Sequence, residues 1–475
     1  MRNDMELEWL DQAVGERLER IVVAHHRRRL RRIGKLGALD TPAGGWAAAP
    51  PPRPGNRFEL HVDGESALPR LVEAIRGARS YVHLAGWHFT PEMRLEGTTL
   101  RELLAGAAER VDVRVLQWAG APLPLFHPDR REVRESREQL SRGTRIRHEL
   151  DDRERPMHCH HEKLAIVDGE IAFVGGIDLS LLGGDRRDKS NHPARGELGW
   201  HDAASRLEGP AVTDVASHFA MRWAEVTGEE LAGAEPGPRG DVEVQVARTV
   251  PDGVYGRLPD GDFTILESYL RALRSAENLI YLESQFLWSP ELVWVLVDKL
   301  RNPPSDDFRL VVLLPAHANN GQEDTRGQLG VLVDADDGAG RFLACTLWQP
   351  GPGGRPVYVH AKIGIVDDRW LTIGSANLNE HSLFNDTEMN VVTHDPGLAR
   401  QTRLQLWAEH LECDPAELEG EPAQIVDERW RPLAEEQHER AQRDGHGTQK
   451  LRLLPRISRR TKGILGPLNG LLVDG

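Results

Sequence analysis

Three cysteines in 475 residues, Cys159, Cys345 and Cys413, are too few and too scattered for a disulfide framework or a cysteine-rich zinc site. That scarcity suits a reducing compartment. Positive charge is also in deficit: 59 Lys and Arg stand against 74 Asp and Glu, a formal charge of −15, which disfavours a protein that coats nucleic acid through bulk potential. Aromatic residues are 6% of the chain, and they form no pattern interleaved with basic residues of the kind that stacks exposed bases. Nucleic acid is therefore not an expected partner. Long hydrophobic runs are missing as well, since the most apolar windows, 279–298 and 310–315, are interrupted by Glu283 and Glu291 or ended by Pro315. Both fall short of the roughly 18–20 apolar residues that cross a bilayer. The opening residues Met1 to Glu6 place acids where an export signal needs a basic start and an apolar stretch. A cytoplasmic protein without a transmembrane segment is the expectation.

What is present is a globular composition, with 39% hydrophobic and 28% charged residues. Leu7, Leu10, Val14, Leu18 and Ile21 recur at helical spacing, and Arg27, Arg28, Arg29, Arg31, Arg32 and Lys35 follow in a basic run. A Pro/Gly/Ala stretch from Pro42 to Pro54 reads as a linker, so residues 1–56 form an amphipathic helix plus linker. From there helices and strands alternate: helices at 68–79, 98–109, 129–141 and 210–226, strands at 80–87, 111–117, 144–149, 164–167 and 171–174. The order then returns, with helices at 263–275, 290–300 and 397–411 and strands at 278–283, 309–314, 342–347, 357–366 and 370–374. The spacing predicts an α/β protein of two tandem lobes, 57–235 and 236–415, each a mixed sheet flanked by helices. Residues 416–475 read as a charged tail.

Two segments carry the chemistry: His161-Glu162-Lys163-Leu164-Ala165-Ile166-Val167-Asp168 and His360-Ala361-Lys362-Ile363-Gly364-Ile365-Val366-Asp367. Both read HxKxxxxD. Gly175 and Gly374 stand fourteen residues after their histidines, followed by Gly176 and Asp178 in one copy and Ser375 and Asn377 in the other. On a strand, alternate side chains share a face, so each His points the same way as its Lys. If the lobes face each other about a pseudo-twofold axis, two imidazoles and two ammonium groups converge on one site at their interface. Such a site suits a phosphate: a neutral His attacks phosphorus, a protonated His supplies a proton to the leaving alcohol, and the lysines hold the phosphoryl oxygens. This chemistry needs no metal and no cofactor.

At these residues the chain resembles the phospholipase D superfamily. Besides the two HKD motifs, the stretches from Gly175 to Leu179, Trp200 to Asp202, Gly209 to Ala211, Phe219 with Arg222 and Trp223, and Ile280 to Phe286 resemble its phospholipid-cleaving branch. Ser284 and Phe286 depart from that branch's pattern, and Gly176 and Asp178 depart from the GSxN form. The resemblance implies a phosphodiesterase acting on glycerophospholipids at a membrane surface, with water or an alcohol as acceptor. His161 would be the nucleophile that forms a phosphohistidine, and His360 the general acid and then base. Lys163, Lys362, Ser375 and Asn377 would bind the phosphoryl group, with Gly176 and Asp178 in the matching places. Asp168 and Asp367 would brace the motif strands. Each histidine also needs a carboxylate to fix its tautomer; Glu388 is assigned to His360 and Asp202 to His161. A cardiolipin synthase-like phosphatidyltransferase is the first alternative, and a nucleic-acid phosphodiesterase using the same His and Lys residues is the second.

Other signals are weaker. The run His158-Cys159-His160-His161 cannot place every side chain on one ion, because consecutive residues of an extended chain face opposite ways. The segment 180–199, with Arg186, Arg187, Lys189 and Arg195, reads as a lid or a solvated loop. The basic residues at 27–35, and Lys450, Arg452, Arg456, Arg459, Arg460 and Lys462, are candidates for peripheral contact with an anionic membrane.

Overall fold

The computed structural model describes residues 17, 19–123, 127–156, 158–182, 194–195, 198–317 and 322–454. Strand β1 (Arg53–Val62) leads into helix α1 (Asp63–Gly77), then β2 (Tyr81–Gly86), α2 (Leu100–Ala108), β3 (Asp112–Trp118), α3 (Arg130–Ser141) and β4 (Arg147–Asp151). Next come β5 (Leu164–Val167), β6 (Ile171–Gly175), β7 (Leu198–His201), β8 (Ala203–Glu208) and α4 (Val212–Thr227). The second half runs β9 (Val242–Val250), α5 (Thr264–Ser275), β10 (Leu279–Glu283), α6 (Pro290–Arg301), β11 (Arg309–Leu313), α7 (Gln322–Asp336) and β12 (Phe342–Trp348). It continues with β13 (Pro356–Val359), β14 (Ile363–Val366), β15 (Trp370–Gly374), β16 (Glu388–Thr393) and α8 (Pro396–Leu411), and closes with α9 (Arg431–Asp444) and β17 (Leu451–Leu453).

Pairing repeats with the sequence. The first sheet has the order β4-β3-β2-β5-β6-β8-β1, parallel across β4, β3 and β2 and antiparallel thereafter. The second has β12-β11-β10-β14-β15-β16-β9 with the same senses. The fold is thus α/β, with two mixed sheets flanked by helices. Alternation along each motif strand places its side chains in two cores. Leu164 and Ile166 of β5, and Ile363 and Ile365 of β14, join one core shared by both sheets together with α4 and α8. Ala165 and Val167 face α1 and α2, and Val366 faces the helices of the second half. Helices α2 and α3 begin at capping boxes, Thr99 with Glu102 and Asp129 with Glu132.

Both motif aspartates sit in the tight turn after their strand. Asp168 and Gly169 adopt positive φ while the Glu170 N–H donates to the Val167 carbonyl; Asp367 and Asp368 do the same before Arg369. These turns suit the right-handed twist of the flanking strands. From there the Asp168 carboxylate accepts N–H bonds from Arg79, Ser80 and Tyr81, and Asp367 accepts those of Glu277, Asn278 and Leu279. Each tethers the motif hairpin to the start of the neighbouring strand.

Three sequence readings change. Residues 416–454 are not a tail: α9 and β17 pack on the second half, β17 pairs antiparallel with β12, and Trp430 is fully buried in the shared core. Apolar residues are sparse there, with only Ala434 and Gln437 buried along α9, so no helical period stood out. The stretch read as a linker ends in β1, which bridges the sheets by pairing with β8 and, at Arg53 and Asn56, with β9. The basic run is partly consumed internally. Residues 19–32 are helical, Arg29 is buried against Asp252 and Asn385, Arg27 pairs with Asp40, and His26 meets Glu291 at 2.7 Å. Leu7, Leu10, Val14 and Leu18, Arg186, Arg187 and Lys189, and Arg456, Arg459, Arg460 and Lys462 lie outside the described residues, as does the side chain of Arg195. Among the described residues no helix is long and apolar enough to cross a membrane.

Candidate active site

His161 and Lys163 stand just before β5, and His360 and Lys362 just before β14; the expected continuous strand at 357–366 breaks at the motif. The break arises because the backbone there pairs with the other half. The N–H groups of His161 and Glu162 both donate to the Thr387 carbonyl, and those of His360 and Ala361 both donate to the His201 carbonyl. Strand β7 accordingly runs parallel to β13, matching His201 to Val359, while His160 forms a parallel bridge with Thr387.

This crossing decides which acid serves which histidine. Glu388, the residue after Thr387, places Oε1 3.0 Å from His161 Nδ1, and Asp202, the residue after His201, places Oδ2 2.7 Å from His360 Nδ1. The assignment made from the sequence is therefore reversed. Each motif docks against the acid-bearing strand of the opposite half, so proximity along the chain misleads. With Nδ1 committed to a carboxylate, reaction at either ring runs through Nε2. The two imidazole centroids lie 6.5 Å apart, close enough for both rings to border one phosphoryl group.

Both carboxylates are fully buried. Burial pushes the Asp202 carboxyl up to about 6, against the opposing charge of Lys362, and the Glu388 carboxyl up to about 8, against Lys163. Burial likewise lowers the Lys362 ammonium to about 8, and the charge of Lys163 adds to the effect although Asp202 opposes it. Lys163 Nζ donates to the His161 carbonyl at 2.7 Å and lies 3.4 Å from Asp178 Oδ2, and Lys362 Nζ donates to the His360 carbonyl.

The residues after each Gly do different work in the two halves. Ser375 Oγ donates to Glu388 Oε2, and Ser382 Oγ donates to Glu388 Oε1 at 2.6 Å. Gly176, the counterpart of Ser375, is held free of side chain because a Cβ there would overlap Asp202. Both positions thus contact the buttressing acids, whereas they had been assigned to substrate. Asp178 and Asn377 occupy matching places, and each keeps one buried oxygen without a hydrogen-bond partner, Oδ1 in both. Asn377 Nδ2 reaches Gln285 at 3.4 Å, and Gln285 Nε2 donates to Tyr358 Oη at 2.7 Å. Ser382, Thr387 and Tyr358 were not singled out from the sequence. Thr387 acts here through its carbonyl, which no side-chain pattern reveals. Beside Lys163 and Asp178 lies an apolar pocket lined by Leu68, Leu71, Phe89, Phe173 and Ile177.

The histidine run divides as alternation requires: His158 faces His381 and Asp386, His160 faces Thr387 and Asp151, and His161 faces Glu388. Behind the site a buried network of Glu162, His218, Arg222, Asp151 and Tyr255 supports the first motif. Asp63, His201, Glu283, His410 and Tyr281 support the second.

Fold and site together define a duplicated α/β protein whose two HKD motifs meet at one centre between the halves. A family model described as "Cardiolipin synthase, PLD-like domain" matches residues 269–409. Phospholipase D A of Dictyostelium discoideum is 25% identical over 463 residues, covering 76% of this chain and 36% of that protein. The major cardiolipin synthase ClsA of Bacillus subtilis is 24% identical over 360 residues, covering 73% of this chain and 67% of that one. A solved phosphatidylserine synthase of Haemophilus influenzae aligns with TM-score 0.49 and 14% identity over 79% of this chain and 93% of that one. The family model and these relatives support the resemblance of the chain to the phospholipase D superfamily. It spans only about a third of the length of the Dictyostelium relative.

Proposed function

We propose that this protein cleaves the headgroup phosphodiester of glycerophospholipids, releasing phosphatidate and a free headgroup, and transfers the phosphatidyl group to an alcohol when one is supplied. The observation that carries the reading is the pair of imidazoles 6.5 Å apart, each backed by a buried carboxylate and flanked by a buried lysine. In the first step His161 Nε2 attacks phosphorus. The P–O bond to the headgroup breaks, and protonated His360 gives its proton to the departing oxygen. In the second, His360 takes a proton from water or an alcohol, whose oxygen attacks phosphorus as the P–N bond breaks and His161 is regenerated. Lys163 and Lys362 hold the phosphoryl oxygens, and Asn377 and Asp178 complete their cradle. The apolar pocket beside Lys163 supports a substrate with an apolar portion next to its phosphate. A cytoplasmic protein working peripherally at a membrane surface fits this substrate.

A phosphatidyltransferase of the cardiolipin synthase type is the second reading, favoured by the family model over 269–409. It uses the same phosphohistidine with a lipid alcohol as acceptor. Purified protein incubated with mixed phospholipid vesicles, short duplex DNA and a primary alcohol tests both. Formation of phosphatidate and phosphatidyl alcohol is expected. Cardiolipin as the dominant product from phosphatidylglycerol vesicles would favour transfer, and cleavage of DNA with the lipids left intact would overturn the proposal.

A further inference from the structure

Three buried side chains close to the site, outside the chemistry above, form a cluster of metal-binding geometry. His158 lies three residues before His161, His381 opens the π-helical turn His381–Asn385, and Asp386 stands where that turn ends. All three are buried, Asp386 completely. His158 Nδ1 lies 3.1 Å from His381 Nδ1 and 3.4 Å from Asp386 Oδ1, and His381 Nδ1 lies 3.9 Å from Asp386 Oδ2. A tetrahedral zinc with ligands at about 2.0–2.2 Å holds its donor atoms roughly 3.3–3.5 Å apart, which falls inside this spread.

The arrangement is a weak one without an ion. Two imidazoles turn the same nitrogen toward each other, so a single proton must serve both. Asp386 Oδ1 accepts the Cys159 N–H at 2.9 Å, but Asp386 Oδ2 is buried with no hydrogen-bond partner. A buried carboxylate oxygen left in that state is costly, and a cation relieves it. The neighbouring cluster of His201, Glu283 and His410 differs, because its carboxylate accepts from both histidines and from Tyr281, and Asp63 takes the remaining nitrogen of His201.

We propose that His158, His381 and Asp386 bind one divalent transition-metal ion of the zinc class, with a fourth position left to water. The ion would join three segments that together hold the nucleophile. The segment entering His161 carries His158. The turn from His381 carries Ser382, which donates to Glu388, and Asp386 begins the segment whose Thr387 carbonyl and Glu388 carboxylate bind His161. All three are positioning residues, since the ion touches neither imidazole of the reacting pair. A motif scan misses the site because its ligands are split between two stretches more than two hundred residues apart in sequence.

Metal analysis of the purified full chain tests this. After loading with zinc ion and gel filtration, one zinc per chain is expected by elemental mass spectrometry. Asp386→Asn preserves the acceptor for the Cys159 N–H and should weaken zinc binding by at least about 100-fold, the upper end of the loss seen when a ligand's supporting contact is removed. His158→Gln should do the same, while His410→Gln should leave zinc content unchanged. Far-UV circular dichroism confirms folding of each variant, and the cobalt-loaded wild type should show tetrahedral ligand-field bands that Asp386→Asn lacks. Absence of bound zinc in the wild type would overturn the proposal. So would zinc retained at full stoichiometry by both folded ligand variants, or lost from His410→Gln instead.

Discussion

Exchanging each buttressing carboxylate for its amide separates the two chemical steps. Asp202→Asn and Glu388→Gln preserve volume in fully buried places, so the fold is retained while the Nδ1 partner loses the ability to become an anionic acceptor. Asp202 faces His360 at 2.7 Å and Glu388 faces His161 at 3.0 Å, both at hydrogen-bond distance. The loss for a poorly supported acid, base or nucleophile is about 10² to 10⁴ in rate, or roughly 3–5 kcal/mol of barrier. A phosphatidyl ester of p-nitrophenol tells the steps apart, because its leaving group departs without a proton. Asp202→Asn should then still show a rapid burst of about one nitrophenol per chain followed by a slow steady state, since only the second step still needs His360. Glu388→Gln should lose the burst, because the nucleophile itself is impaired. The reverse pattern, or a loss below about tenfold in both variants, would refute the crossed assignment or the roles given to the histidines.

His161→Ala and His360→Ala should each lower turnover of natural lipid by at least about 10², and the double variant should lose little more, as checked by steady-state rates. The pH–rate profile should rise between about 6 and 8, as first the Asp202 and then the Glu388 carboxyl becomes charged, and fall above about 8 as Lys362 loses its charge, leaving a narrow optimum near 8. Lys362→Arg should move only the alkaline limb upward. Gly176→Ser should abolish most activity by displacing Asp202, with unchanged circular dichroism; full activity would mean that the contact yields freely. Arg222→Ala leaves Asp151 and Glu162 buried without their cation and should cost about 3–5 kcal/mol in denaturant unfolding. Burial alone would raise the Glu162 carboxyl, yet Arg222 and His218 hold it at about 2. The stability it contributes is therefore complete above about 4.3 and lost as pH falls toward 2, which acid titration of the unfolding midpoint measures.

The residues that do the chemistry and the duplication that brings them together were determined by the sequence alone. Strand period, helix caps and Asp-containing turns are local, and the repeated HxKxxxxD spacing marks both His/Lys pairs wherever the rest of the chain lies. The tertiary structure decided how the halves exchange support. His360 meets an acid 158 residues away and His161 one 227 residues away, through backbone pairing of each motif with the other half. No local pattern encodes that choice, because it depends on which strand edges the two sheets present to each other when the shared core closes. The same reason explains Gly176, whose missing side chain has meaning only beside Asp202. It also explains residues 416–454, whose apolar side chains were too sparse to mark a helix and strand until β12 and the core offered them a partner.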